Sequence, residues 1–283
     1  MNPSINRTVT TIAVSILCCL STGDYRAEAA ETIRINGSGS SLYVMKPLIK
    51  AYTKAHPKVR IEMSKPLGSS GAINAVIAGA LDIAVSSRVL KQKEVAAGAV
   101  SREYGRMPLA IVTGEKVPVT DITTTQLEEI YLGERRAWSN GEPIRLILRP
   151  ESDIDTTILE GLSPGLNRAL KTAHSFQGMI IAVTDPESDK AVAAISGSLG
   201  AAALPAILVE KVPLHVLTLN GILPSVHTLA NGTYPLGKDI RFITTKNTPG
   251  AGLKFIDFIF SSQGRAIAEK AGVLVTTGAK AGK

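Results

Sequence analysis

Residues 59–87 read VRIEMSKPLGSSGAINAVIAGALDIAVSS. Here "VRIEMS" (59–64) is a strand, "KPLGSSG" a glycine-serine loop, and Ile73, Val76, Ile77 and Ala80 mark one face of a helix before a further strand, "LDIAVSS" (81–87). The same scheme stands immediately upstream: the strand "TIRIN" (32–36), the loop "GSGSS" (37–41), and Met45, Leu48, Ile49 and Tyr52 at helical spacing. Strands joined by helical crossovers pair in parallel, and in such sheets ligands bind beyond the carboxyl ends of the strands. The loops that carry the serines lie at that end.

Downstream, "MPLAIVTG" (107–114) predicts a strand, "TTTQLEEIYLG" a short helix and "IRLILR" (144–149) another strand. A second α/β unit runs through "KAVAAISGSLGAAAL" and returns at "DIRFITTK" (239–246). The closing "AGLKFIDFIFSSQGRAIAEKAG" carries Leu253, Phe255, Ile256, Phe258, Ile259 and Phe260, enough for a docked helix pair. No repeat of fixed period and no low-complexity linker divides the chain. The expectation is an α/β fold of two lobes joined by two crossing strands, each lobe a mostly parallel sheet flanked by helices. Lobe I comprises 30–113 with 239–283, and lobe II 114–238.

The opening "MNPSINRTVTTIAVSILCCLSTGDYRAEAA" has an early arginine, a short apolar run and the triplet Ala27-Glu28-Ala29, the layout of a cleaved secretory signal over 1–29. Both cysteines, Cys18 and Cys19, fall inside it, so the exported part has neither a disulfide nor thiol chemistry. A lipid anchor on either cysteine lacks the small residue expected before it. Removing the signal takes away two basic and two acidic residues and leaves the net charge at +7. In an exported protein without a Lys/Arg block, that balance favours a small anionic ligand over nucleic acid.

The loops at 37–41 and 68–71 each set glycine and serine before a helix, where amide N–H groups, the positive end of the dipole and hydroxyls form an anion cradle. Serine is also an ordinary helix cap, so either loop alone has a purely structural reading. Neither is a nucleotide fingerprint. "RPESDID" (149–155) admits three readings: an anion wall led by Arg149, a small cation loop, or a solvated turn. A calcium loop would need a glycine and a later glutamate that are missing, and no other metal-ligand spacing occurs. His56, His174, His215 and His227 are scattered and no nucleophile elbow is present, so the chain reads as no enzyme and implies no cofactor. Aromatic residues make up 4% of the chain, too few for a stacking platform.

In order, "GSGSS", "GSSGAINAVIAGALDIAVSS", "ITTTQLEEIYLGERRAWSNG", the arginine-led loop at 149, "AVAAISGSLG", "NGILPSVHTLANGTYPL" and "FIDFIFSSQGRAIAEKAG" resemble the periplasmic phosphate-binding proteins of ABC transporters. The resemblance covers nearly all of the chain beyond the signal. It implies a monomeric periplasmic protein whose lobes close on phosphate or a related small oxyanion and deliver it to an ABC transporter permease. The binding set it implies is Ser40, Ser41 and the amide of Leu42 from the first loop, Ser69 and Ser70 from the second, Ser87 at the end of the third strand, and Arg149 and Asp153 from the third loop.

Three positions depart from the family. Ser87 stands where an aspartate accepts the proton of monohydrogen phosphate, and Asp153 and Asp155 stand where hydroxyl and amide donors are usual. Either these carboxylates turn outward, or the ligand differs, or Asp153 supplies the missing acceptor. A degenerate domain serving as a sensor or protein-interaction module is the alternative to a phosphate carrier.

Overall fold

The computed structural model describes residues 31–276; the expected signal, with Cys18 and Cys19, lies outside the described residues. The chain opens with β1 (Glu31–Gly37), α1 (Gly39–Ala55), β2 (Val59–Met63), α2 (Gly68–Ile77), β3 (Ile83–Ser86) and α3 (Gln92–Ala96). It continues through β4 (Val100–Gly114), β5 (Asp121–Ile122), α4 (Thr124–Tyr131), β6 (Arg145–Leu148), α5 (Ile154–Glu160), α6 (Pro164–Ser175), β7 (Ile180–Ile181), α7 (Asp185–Ala194) and β8 (Ser198–Ala203). The remainder is α8 (Leu204–Leu208), β9 (Leu214–Val216), β10 (Thr218–Leu219), α9 (Val226–Ala230), β11 (Gly237–Thr244), α10 (Gly250–Phe260), α11 (Ser262–Lys270) and β12 (Leu274–Val275).

The main sheet runs β2-β1-β3-β11-β4-β8-β6-β7, with β9 and β12 also pairing along β4; β5 and β10 form a separate pair. As the opening stretch of sequence predicts, β1 pairs in parallel with both β2 and β3. The strand β6 is parallel to β7 and β8, whereas β4 and β11 run against their neighbours. These two antiparallel strands carry the chain between the halves. From Val100 to Pro108, β4 pairs with β11; from Leu109 onward it pairs with β8 and then β9. It starts earlier than the apolar run at 107 because its first residues find partners in β11 and β12.

Each half has its own core. In the first, α1, α10 and α11 cover one face of the sheet through Met45, Leu48, Tyr52, Phe255 and Ile259, packed on Ile33, Ile35, Val85 and Phe242. Tyr104 and Phe242 meet edge-on at 5.4 Å, the arrangement that aromatic quadrupoles favour. In the second, α4 and α6 bury Leu127, Ile130, Leu166, Ala169 and Leu170 against Ile111, Leu148 and Leu199. The stretch 154–175 carries no assignment from sequence periodicity, yet it forms α5 and α6. The hydroxyl of Ser163 accepts the Leu166 amide at 2.9 Å and Pro164 occupies the first turn, so capping fixes that helix start.

Candidate functional site

A cleft of about 550 Å³ opens where the two halves face each other. The helices α1 and α2 begin on one wall, and α5 and α7 on the other. The opposing walls treat their helix starts differently. Ser38 and Leu67, the N-cap residues of α1 and α2, make no side-chain cap bond. Across the cleft, Asp153 caps α5 by accepting the Asp155 amide at 2.9 Å, and Thr184 and Glu187 close a reciprocal capping box on α7. Open N–H groups and positive dipole ends therefore face the cleft from the first wall, while the second brings its own carboxylates.

The first helices start earlier than "GSGSS" and "GSSG" suggest, and this changes what the serines do. Ser40, Ser41, Ser69 and Ser70 lie within the first turns of α1 and α2 rather than ahead of them. Ser38, Gly39, Ser69 and Ser70 line the cleft. Ser69 Oγ accepts the Ser87 amide at 3.0 Å, and Ser70 Oγ accepts from Arg88 Nη2 at 2.9 Å, so both hydroxyl protons remain free to donate. Arg88 itself is clamped on Glu94 at 2.7 Å, and this hydrogen bond holds the Glu94 carboxyl down to about 2, against the upward push of burial.

The structure does not bring all the expected residues to the wall. Leu42 is buried in the first core and its amide already donates to the Ser38 carbonyl at 3.0 Å, as an amide past the first turn of a helix does. Ser41 and Ser87 are buried with their hydroxyls 3.2 Å apart, tying the start of α1 to the end of β3 behind the wall. Ser40 likewise faces inward, fully buried with its hydroxyl 3.1 Å from that of Ser38.

Arg149 and Asp153 do line the cleft. The guanidinium is 6% exposed; Nη1 donates to the Ala182 carbonyl at 2.7 Å and Nη2 to Asp153 Oδ2 at 2.8 Å, while Nε is buried without a hydrogen-bond partner. Farther out, Nη2 lies 3.7 Å from Asp185 Oδ2 and Nε 3.8 Å from Asp155 Oδ2. "RPESDID" is thus a buried arginine, an exposed turn at Glu151 and Ser152, then a helix cap and a buried acid.

Sequence reasoning missed the partner that makes these acids tolerable. Lys238, the second residue of β11, is fully buried, with Nζ 2.6 Å from Asp155 Oδ1 and 2.6 Å from Asp185 Oδ1. Burial raises the Asp155 carboxyl against the pull of Lys238; burial also acts on Asp185, but Lys238 and Arg149 outweigh it and hold that carboxyl low. Asp189, one turn along α7, accepts from Tyr43 Oη of α1 at 2.7 Å, and burial pushes its carboxyl up to about 7. The signal available in the sequence was a lysine at the start of the strand that follows "YPLG", together with a second acid cluster, "DPESD".

A family model described as "PBP superfamily domain" matches residues 23–263. The phosphate-binding protein PstS of Borreliella burgdorferi is 27% identical over 252 residues, covering 86% of this chain and 89% of that protein. PstS of Bacillus subtilis is 25% identical over 252 residues, covering 84% and 78%. Among solved structures, a Clostridium perfringens substrate-binding protein assigned to phosphate ABC transport, with bound phosphate, superposes with a TM-score of 0.76 at 22% identity, covering 87% of this chain and 100% of that one. An ABC-type phosphate transport receptor from Vibrio cholerae gives 0.57 at 21%, covering 86% and 99%. Structural matches at these identities establish the two-lobed fold.

Proposed function

The chain belongs to the PBP superfamily, and from that membership and the chemistry of its cleft we propose that it is an exported solute-binding protein that captures phosphate or a related small oxyanion for an ABC importer. One observation carries the reading. Two helix starts without side-chain caps face, across the cleft, the guanidinium-bearing side chain of Arg149. Amides at a helix start and a guanidinium fork are the donors that a tetrahedral oxyanion needs. The relatives named as PstS are phosphate-binding proteins, which sets phosphate first among such anions.

In this reading the ligand lies against the amides of Gly39 and Ser40, the hydroxyls of Ser38, Ser69 and Ser70, and Arg149. Asp153 replaces the acceptor absent at Ser87: its carboxylate takes the hydrogen bond of a protonated ligand oxygen. A fully ionised anion such as sulfate meets that carboxylate with no proton to share, a repulsion of about 4 kcal/mol at 4 Å and an effective dielectric of 20. Division into lobes at 113/114 and 238/239 belongs to the same proposal, supported by the change of partners along β4 and the start of β11 at Gly237. So do export through residues 1–29, a monomeric state, delivery to a permease and the absence of an enzymatic step; the relatives are named for binding.

Calorimetric titration of the purified protein with phosphate and with sulfate tests the function. Phosphate binding with sulfate excluded is expected, and Asp153→Asn weakens phosphate while admitting sulfate. A variant with unchanged affinities removes the acceptor role. A wild-type protein that ignores phosphate removes the carrier reading in favour of a sensor or interaction module.

A further inference from the structure

Lys238 belongs to β11, the strand that returns from the second half of the molecule to the first, and its amine ends behind the cleft wall, on Asp155 and on Asp185, which lines the cleft. The charged and titratable groups facing it come from every element around it: Asp153 and Asp155 from α5, Asp185 and Asp189 from α7, Arg149 after β6, and Tyr43 from α1. Three carboxylates stand within 4 Å of the Arg149 guanidinium, at 2.8, 3.7 and 3.8 Å. One arginine among three acids would make a cation site. The short contacts decide otherwise, because Asp155 and Asp185 each give their closest approach, 2.6 Å, to Lys238.

We propose that Lys238 is the positioning residue that keeps this acid-rich cleft an anion site: by holding Asp155 and Asp185 it leaves the Arg149 guanidinium available to an incoming oxyanion. The inference rests on the phosphate reading of the cleft. Without the amine, both carboxylates lose their nearest partner in a desolvated place, and the guanidinium is the cation left to satisfy them. Its unpartnered Nε already lies beside Asp155 Oδ2, so the fork would turn inward and the cleft would present uncompensated negative charge.

Titration of the full chain with inorganic phosphate, with thermal unfolding recorded for each variant, separates this from a purely structural bridge. Lys238→Met should bind phosphate about 100-fold more weakly at about pH 8, and lose less at about pH 5, where protonated Asp155 no longer needs the amine. Lys238→Arg should restore part of the affinity. Asp155→Asn should bind at least as tightly as wild type, because one repulsive carboxylate is gone, and should recover about tenfold when added to Lys238→Met. Wild-type affinity in Lys238→Met overturns the proposal, as does an Asp155→Asn variant weakened in parallel with it. Should Lys238→Met fail to fold, Asp155→Asn alone decides: retained or tighter binding supports the proposal and weaker binding refutes it. Failure of the wild type to bind phosphate would instead refute the underlying reading of the cleft.

Discussion

Replacing Arg149 by methionine keeps most of the side-chain volume and removes the fork, so its cost can be worked from the contacts. The guanidinium is buried and gives two short bonds, to the Ala182 carbonyl at 2.7 Å and to Asp153 at 2.8 Å. For affinity the pair that counts is the guanidinium and the bound anion, and truncating one partner of such a buried, hydrogen-bonded charge pair costs about 2–5 kcal/mol, part of it from the group left behind. Here the residual charge acts in the same direction as the lost donor, since Asp153 and Asp185 line the cleft with Asp155 behind them, and Lys238 alone would offset the three. At about 1.4 kcal/mol per tenfold, phosphate affinity should fall by at least about 100-fold. Arg149→Lys retains the charge but cannot reach the Ala182 carbonyl and Asp153 together, and should lose about tenfold. Calorimetry gives the affinities, and thermal unfolding establishes that the variants are folded. A folded methionine variant within about threefold of wild type would refute the argument that Arg149 is the anion clamp.

Ser69→Ala removes a proposed ligand donor and also the acceptor of the Ser87 amide, so phosphate binding should weaken by about tenfold with a small loss of thermal stability, both read from ligand-dependent melting curves. Gly39→Ala places a Cβ 2.8 Å from both Asp185 Oδ2 and Pro186 Cδ, which forces the starts of α1 and α7 apart; titration should show weaker phosphate binding by about tenfold in a folded protein. For Asp189 the folded carboxyl titrates near 7, above its unfolded value, so the stability of its neutral form is complete at low pH and is lost as pH rises through about 7. Asp189→Asn cannot ionise and still accepts from Tyr43, so its unfolding temperature should match wild type in acid and exceed it above neutrality. Unfolding curves recorded across that range check the sign.

The part of this fold built from neighbours in sequence was legible in it. The parallel order β2-β1-β3 follows from two strand-loop-helix units in succession, and the closing pair α10 and α11 from the phenylalanine spacing at 255–260. Arg149 was legible too, as an arginine ending a strand. What escaped depends on pairs far apart along the chain. Lys238 meets Asp155 and Asp185, and no local pattern ties a lysine in a strand to acids at two other helix starts. In isolation "GKDIRF" reads as an alternating, half-exposed strand; burial of Lys238 follows from the position of β11 between β3 and β4. The position of Leu42 and Ser87 behind the cleft wall has a smaller cause. Helix α1 begins at Gly39, which places the Leu42 amide one turn in and directs Ser41 toward Ser87.

Release of the native ligand tests the central claim most directly. Protein purified without added phosphate and then denatured should yield inorganic phosphate near stoichiometry with the chain, and the Arg149→Met variant should yield little. A wild-type protein that releases no phosphate, and whose ³¹P spectrum shows no bound signal when phosphate is added, would contradict the account.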